Sequence, residues 1–366
     1  MFKQHVIKLA LAAAVATAAF ASAQAEADIT GAGASFPAPL IATWADVYRD
    51  VTEGAVVVNY QSIGSGGGIR QFIDQTVHFG ATEAFLNQEQ LDQARAGTGG
   101  EAYNLPITLA DVVITYNVPG LETGVVFDGE VLAGIFLGDL VRWNDERLAA
   151  LNPGVQLPDM LINVVHRADG SGTTNIFTSY LSSVSSDWAE RVGAGTAVEW
   201  PTGVGASGNE GVAGLIGNTP GTIGYNSLVY ATLNDIAYGY VVNAAGNVIQ
   251  PSLASTSAAG DVELPQDTRT LIVNSQHPEG YPISGFTWAL LYENADANKA
   301  FTSRAQAEET VRFLAWVMTE GQEFSEVLDF ARLPQAAVDL NLARLAQVKW
   351  QGENIGQAIV DGFTTR

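Results

Sequence analysis

Three stretches of this sequence set small hydroxyl and glycine residues where a helix is about to begin. Thr30-Gly31-Ala32-Gly33-Ala34-Ser35-Phe36-Pro37 leads into a run through Ile41, Trp44, Ala45 and Tyr48. Gly64-Ser65-Gly66-Gly67-Gly68 leads into Ile69, and Arg167-Ala168-Asp169-Gly170-Ser171-Gly172-Thr173-Thr174 leads into Phe177. A helix start leaves backbone N–H groups unpaired and carries the positive end of the macrodipole, so the guest it suits is an anion. Glycine lets the backbone approach closely, and serine and threonine add donors without bulk. Arg167 adds a forked cation suited to phosphate. Each segment alone reads first as an ordinary cap in a strand-to-helix loop. Together, one of them with an arginine, they predict a shared anion site. Asp169 has two readings at this stage: a partner that orients Arg167, or a cap for the following helix.

Catalysis has little to work with. No G-x-S-x-G elbow, no G-x-x-x-x-G-K-[ST] loop and no H-E-x-x-H motif occurs. There is no cysteine, and the four histidines are scattered. A transition-metal site is therefore not expected, and no cofactor is implied. His166 reads as a strand-end residue, His78 as lying on the outer face of its strand, and His277 as a loop residue. The expectation is a binding protein rather than an enzyme, with a phosphatase or serine hydrolase as the rival reading.

The elements that must carry these loops alternate short β-branched runs with amphipathic stretches, the pattern of α/β lobes with mostly parallel sheets. Strands are predicted at 56–60, 77–81, 111–117, 162–166, 222–225 and 286–291. A helix over about 305–320 places Val311, Leu314, Ala315 and Met318 on one core-facing side. Pro106 and Pro282 lie just before two of those strands and are taken as the crossings between lobes.

The amino terminus reads as a signal peptide: Lys3 and Lys8, an apolar run from Leu9 to Phe20, then Ala23-Gln24-Ala25 as the cleavage signal. The run is too short for the roughly 20 residues a spanning helix needs. Without a cysteine no lipid can be attached, so an exported, untethered periplasmic protein is expected. The 366 residues less the first 25 leave 341, more than one core usually organises, so two lobes are expected. Net charge is −22, and loss of the two signal lysines takes it to −24. Such acidity argues against nucleic acid as a partner, because phosphate backbones are bound by Lys/Arg surfaces.

With these residues in view, the sequence resembles the periplasmic phosphate-binding protein family of ABC uptake systems. The resemblance lies in TGAGASFPAP at 30–39, NYQSIGSGGG at 59–68, FGATEAFL at 79–86 and RADGSGT at 167–173, and runs on through VEWPTGVG and GNEGVAGLIGNTPGTIGY. It covers the mature chain in order. It implies a type II-like two-lobed fold, with two mixed β-sheets flanked by helices and joined by a β hinge. The lobes would be 26–107 plus 283–366 and 108–282, with the ligand cleft between them. Carried over by position, the phosphate ligands are Ser35, Phe36, Ser65, Glu83, Arg167, Ser171, Gly172 and Thr173, with Asp169 as the arginine's partner. The implied partners are inorganic phosphate and an inner-membrane ABC permease, and the implied state is a monomer. A related oxyanion-binding or phosphate-scavenging protein of the same fold would use the same pocket. One position departs from the family: Glu83 stands where aspartate is common. That carboxylate would accept the proton of phosphate and repel sulfate, which has none. The longer side chain crowds the ion, is taken up by a retracted loop, or turns away.

Overall fold

The computed structural model describes residues 27–364, so the predicted signal segment 1–25 lies outside the described residues. Eight strands build the frame: β1 (Ala27–Gly33), β2 (Val56–Ser62), β3 (Phe79–Thr82), β4 (Ala102–Asn117), β5 (Asn163–Arg167), β6 (Val204–Ala206), β7 (Thr222–Ser227) and β8 (Ser284–Tyr292). They run in the order β2-β1-β3-β8-β4-β7-β5-β6. Pairing is parallel within β2-β1-β3 and within β7-β5-β6, and antiparallel through β8 and β4. The fold is therefore α/β, with two parallel sets of strands joined through the antiparallel β8 and β4 into one mixed sheet.

That strand is β4. Its 16 residues are buried along nearly their whole length, although the run includes Asn104, Thr108, Asp111 and Thr115 among its apolar residues. Ala102 to Asp111 pair with β8, and Val112 to Asn117 pair with β7. The predicted strand began only at Asp111, because Pro106 signals a break. The chain instead runs straight through Pro106, opposite Trp288, where the register slips between Thr287 and Trp288. An irregular register is where a strand tolerates a residue with no N–H to give.

Five helices matter for the site: α1 (Ala38–Val51), α2 (Ser65–Ile73), α3 (Gly172–Val184), α4 (Gly208–Asn218) and α5 (Arg304–Met318). In α1 the apolar stripe Leu40, Ile41, Trp44 and Tyr48 is buried, and Arg49 sits in the last turn, where a cation complements the dipole. Tyr48 meets Phe313 and Trp316 of α5 at ring-centroid separations of 5.2 and 5.3 Å. Thus α5 is a packing element, as its spacing predicts. Among the described residues no helix is long and apolar enough to cross a membrane.

His78 departs from expectation. It is buried, not on an outer face. Its Nδ1 accepts from Thr30 N at 2.7 Å, which leaves Nε2–H to donate to the Ala300 carbonyl at 3.0 Å. Burial pushes its pKa down, so it acts as a neutral tie between β1 and the segment before α5.

Where β4 changes partners, Asp111 is fully buried and accepts a hydrogen bond from Ser284 at 2.6 Å. Burial pushes its carboxyl from the ordinary 3.8 up to about 7, against the opposing pull of the Ser284 hydroxyl. The folded state then holds this proton more tightly than the unfolded chain, so its contribution is complete below pH 4 and is lost as pH rises toward 7. Asp111→Asn should remove this dependence. In melts from pH 4 to 8 the variant is expected to gain on the wild type as pH rises, by a few kcal/mol at most. A constant difference between the two curves would mean that Asp111 is not protonated in the fold.

Candidate anion-binding site

The loops that follow β1, β2 and β5 and open α1, α2 and α3 meet the segment that follows β3. Glycine makes the approach possible at two of them. Gly33 has φ +145°, and a Cβ there would lie 2.0 Å from the Ala81 carbonyl oxygen. A Cβ on Gly172 would lie 2.3 Å from Glu83 Oε2 and 2.5 Å from Ser65 Oγ. Two of the loops also touch directly, since Gly66 N donates to the Gly170 carbonyl at 2.9 Å.

Hydrogen bonds link Ser65 to Glu83, Arg167 to Thr173, and, through Asn209, Ser35 to Thr173. Ser35, Phe36, Ser65, Glu83, Arg167, Ser171 and Thr173 are all buried, and Gly172 is buried at the start of α3. Phe36 is anchored edge-on to Phe330, with centroids 6.0 Å apart. Ser65 is the first residue of α2, so the glycines after it form the first helical turn rather than a preceding loop. Ser65 Oγ donates to Glu83 Oε2 at 3.0 Å, and Thr287 Oγ1 donates to Oε1 at 3.0 Å. Glu83 thus keeps its carboxylate inside the cleft, against Gly172 and Ser65, and is not turned outward. Burial raises its pKa from 4.5 to about 7, although the hydroxyls of Ser65 and Thr287 and the charge of Arg167 pull the other way.

Arg167 forms a fork with Asp169, with Nε donating to Oδ1 at 2.8 Å and Nη2 to Oδ2. Its Nη1 points to Thr173 Oγ1 at 3.4 Å. Burial would raise the Asp169 pKa, but the hydrogen bond and charge of Arg167 outweigh it and hold the carboxyl below its usual range. The two readings of Asp169 are thereby separated. It is the arginine's partner, and the cap of α3 is Ser171, whose Oγ accepts from Thr174 N at 3.0 Å. With its oxygen so occupied, the Ser171 hydroxyl still has its proton to give.

Three residues of the cleft were not anticipated. Thr287 lies inside the strand β8, away from any helix start that would single it out. Tyr230 donates to the Ser35 carbonyl at 2.7 Å across the lobes, and nothing in the sequence distinguishes it from a packing tyrosine. Asn209 opens α4 in Ser207-Gly208-Asn209, a fourth helix start of the same small and polar kind, and its signal was legible. Among the described residues no group of His, Cys, Asp and Glu could hold a metal ion.

A model of the PBP superfamily domain matches residues 18–320. The phosphate-binding protein PstS of Xylella fastidiosa (strain 9a5c) is 40% identical over 329 residues, which cover 89% of this chain and 85% of that protein. PstS of Pasteurella multocida (strain Pm70) is 39% identical over 329 residues, 89% of this chain and 90% of its own. The chain belongs to this family of PstS phosphate-binding proteins. Among solved structures, a DING protein matches with a TM-score of 0.71 at 21% identity, over 92% of this chain and 99% of its own. A high-affinity periplasmic phosphate-binding protein bound with phosphate matches with a TM-score of 0.69 at 21% identity, over 90% and 97%. At those identities the two structures show the shared fold.

Proposed function

We propose that this protein captures inorganic phosphate between its lobes and delivers it to an inner-membrane ABC permease, without chemical change to the ion. One observation carries the reading: buried hydroxyls and helix-start amides, one paired guanidinium and one carboxylate converge from both lobes on a single place. The proposed ligands are Ser35, Phe36, Ser65, Glu83, Arg167, Ser171, Gly172 and Thr173, with Asp169 holding the arginine. The proposed lobes are 26–107 plus 283–366 and 108–282. The family's PstS relatives support phosphate as the ligand. In this reading the chain is exported by a cleaved signal, carries no lipid and works as a monomer.

The donor set suits a receptor that must release its cargo. Most of its members are neutral, so the closed state is favoured without the deep well that several bound cations would make. Titration calorimetry with inorganic phosphate should show one site, with an affinity near micromolar or tighter, about −8 kcal/mol or below. Incubation with a generic phosphate ester should release no product. Absence of heat with phosphate, or steady ester turnover, would overturn the proposal.

A further inference from the structure

We infer that Asn209 is a positioning residue that sets the hydrogen-bond polarity of the site. Its N–H groups fill the acceptor capacity of the Ser35 hydroxyl and, together with Arg167, that of Thr173, so both hydroxyls are set to give their protons to the guest. The inference rests on the reading of the cleft as a phosphate site.

Asn209 is fully buried in the first turn of α4. Ser35 Oγ, from the opposite lobe, accepts from Asn209 N at 3.0 Å and from Nδ2 at 2.9 Å. A hydroxyl has two lone pairs and one proton. Both lone pairs of Ser35 Oγ therefore face N–H donors, and what remains is the O–H. Thr173 Oγ1 is treated alike, with Asn209 Nδ2 at 3.0 Å and Arg167 Nη1 at 3.4 Å. The two hydrogens of one amide nitrogen thus serve one hydroxyl from each lobe.

The amide's orientation is fixed by its other end. Asn209 Oδ1 lies 3.4 Å from Ser227 N, which can only donate, so the atom facing it must be the oxygen. Oδ1 is also 3.4 Å from Thr173 Oγ1, a long contact in which the hydroxyl donates, so the Thr173 proton has a weak second partner that the Ser35 proton lacks. The Asn209 carbonyl is held by Asn226 Nδ2 at 3.0 Å. A buried amide pinned at both ends leaves the Ser35 hydroxyl no second arrangement and the Thr173 hydroxyl only a long one, so a guest that accepts at these two points is favoured and one that donates there is not.

The test is phosphate calorimetry on the wild type, Asn209→Asp and Asn209→Ala between pH 5.5 and 8.5. A carboxylate at this position accepts only, so it draws both hydroxyl protons away from the ion and adds a like charge. At pH 8 Asn209→Asp should bind at least a hundredfold more weakly than the wild type. That ratio should shrink tenfold or more toward pH 5.5, as the new carboxyl takes up a proton. Asn209→Ala should lose about tenfold, by the same factor at every pH. If the Asp variant follows the Ala variant throughout, Asn209 is merely structural and the inference falls. Should the Asp variant not fold, Ser35→Ala combined with Asn209→Ala decides: losses well short of additive support action through the Ser35 hydroxyl, and additive losses refute it. A wild type that does not bind phosphate overturns the functional reading, and the inference with it.

Discussion

Arg167→Ala should bind phosphate between roughly thirtyfold and several thousandfold more weakly than the wild type at pH 7, a loss of about 2–5 kcal/mol. Arg167 is 3% exposed and is the cation of the proposed site. Removing it deletes donors to the ion and also strips Asp169 of the partner that keeps its pKa low. The second effect can be separated from the first. If an unpaired Asp169 carboxylate is part of the damage, Arg167→Ala with Asp169→Asn should recover some of the lost affinity, because the neutral amide no longer repels the anion. Arg167→Lys should not restore binding, since one ammonium cannot hold both Asp169 oxygens and still reach the Thr173 side of the cleft. Calorimetry on the three variants gives the ordering. An Arg167→Ala protein within threefold of the wild type would mean that the third loop does not line the site.

What the sequence disclosed follows from how local the physics is. A helix start with glycine and hydroxyl residues is written in consecutive positions, so Ser35, Ser65 and Ser171 could be found from their own neighbours. The Arg167–Asp169 fork, two residues apart in one loop, is one of two local readings of Asp169, and the structure selects it over capping. Thr287 could not be found this way. It becomes a partner of Glu83 only because β3 and β8 lie side by side, a long-range pairing that no local pattern encodes. Tyr230 is similar, for its hydroxyl crosses to the other lobe. The reach of β4 through Pro106 was missed for a related reason: a proline's local preference yielded to a register slip made possible by the partner strand. Asn209 is a different kind of omission, because its segment obeyed the rule already applied to three others.

If Glu83 sets what the proposed site refuses, the expected result of replacing it is a change in the pH dependence of sulfate binding. Sulfate has no proton to donate, so it can sit beside Glu83 only when the carboxyl itself is protonated and donates. With the group poised at about 7, wild-type sulfate affinity should level off below pH 7 and fall about tenfold per unit above it, as the protonated fraction falls. Phosphate escapes this penalty, since its own P–OH can donate to the ionised carboxylate. Glu83→Gln replaces the titrating group with an amide that donates at every pH. Sulfate binding by that variant should therefore be flat from pH 5.5 to 8.5, and at pH 8 its preference for phosphate over sulfate should fall by about one to two orders of magnitude. Ser65 and Thr287, whose hydroxyls now donate to the two carboxylate oxygens, can each turn to suit the amide, so the change need not disturb the fold. Equal exclusion of sulfate by both proteins at every pH would remove Glu83 from the role of proton reader and assign selectivity to the donor loops alone.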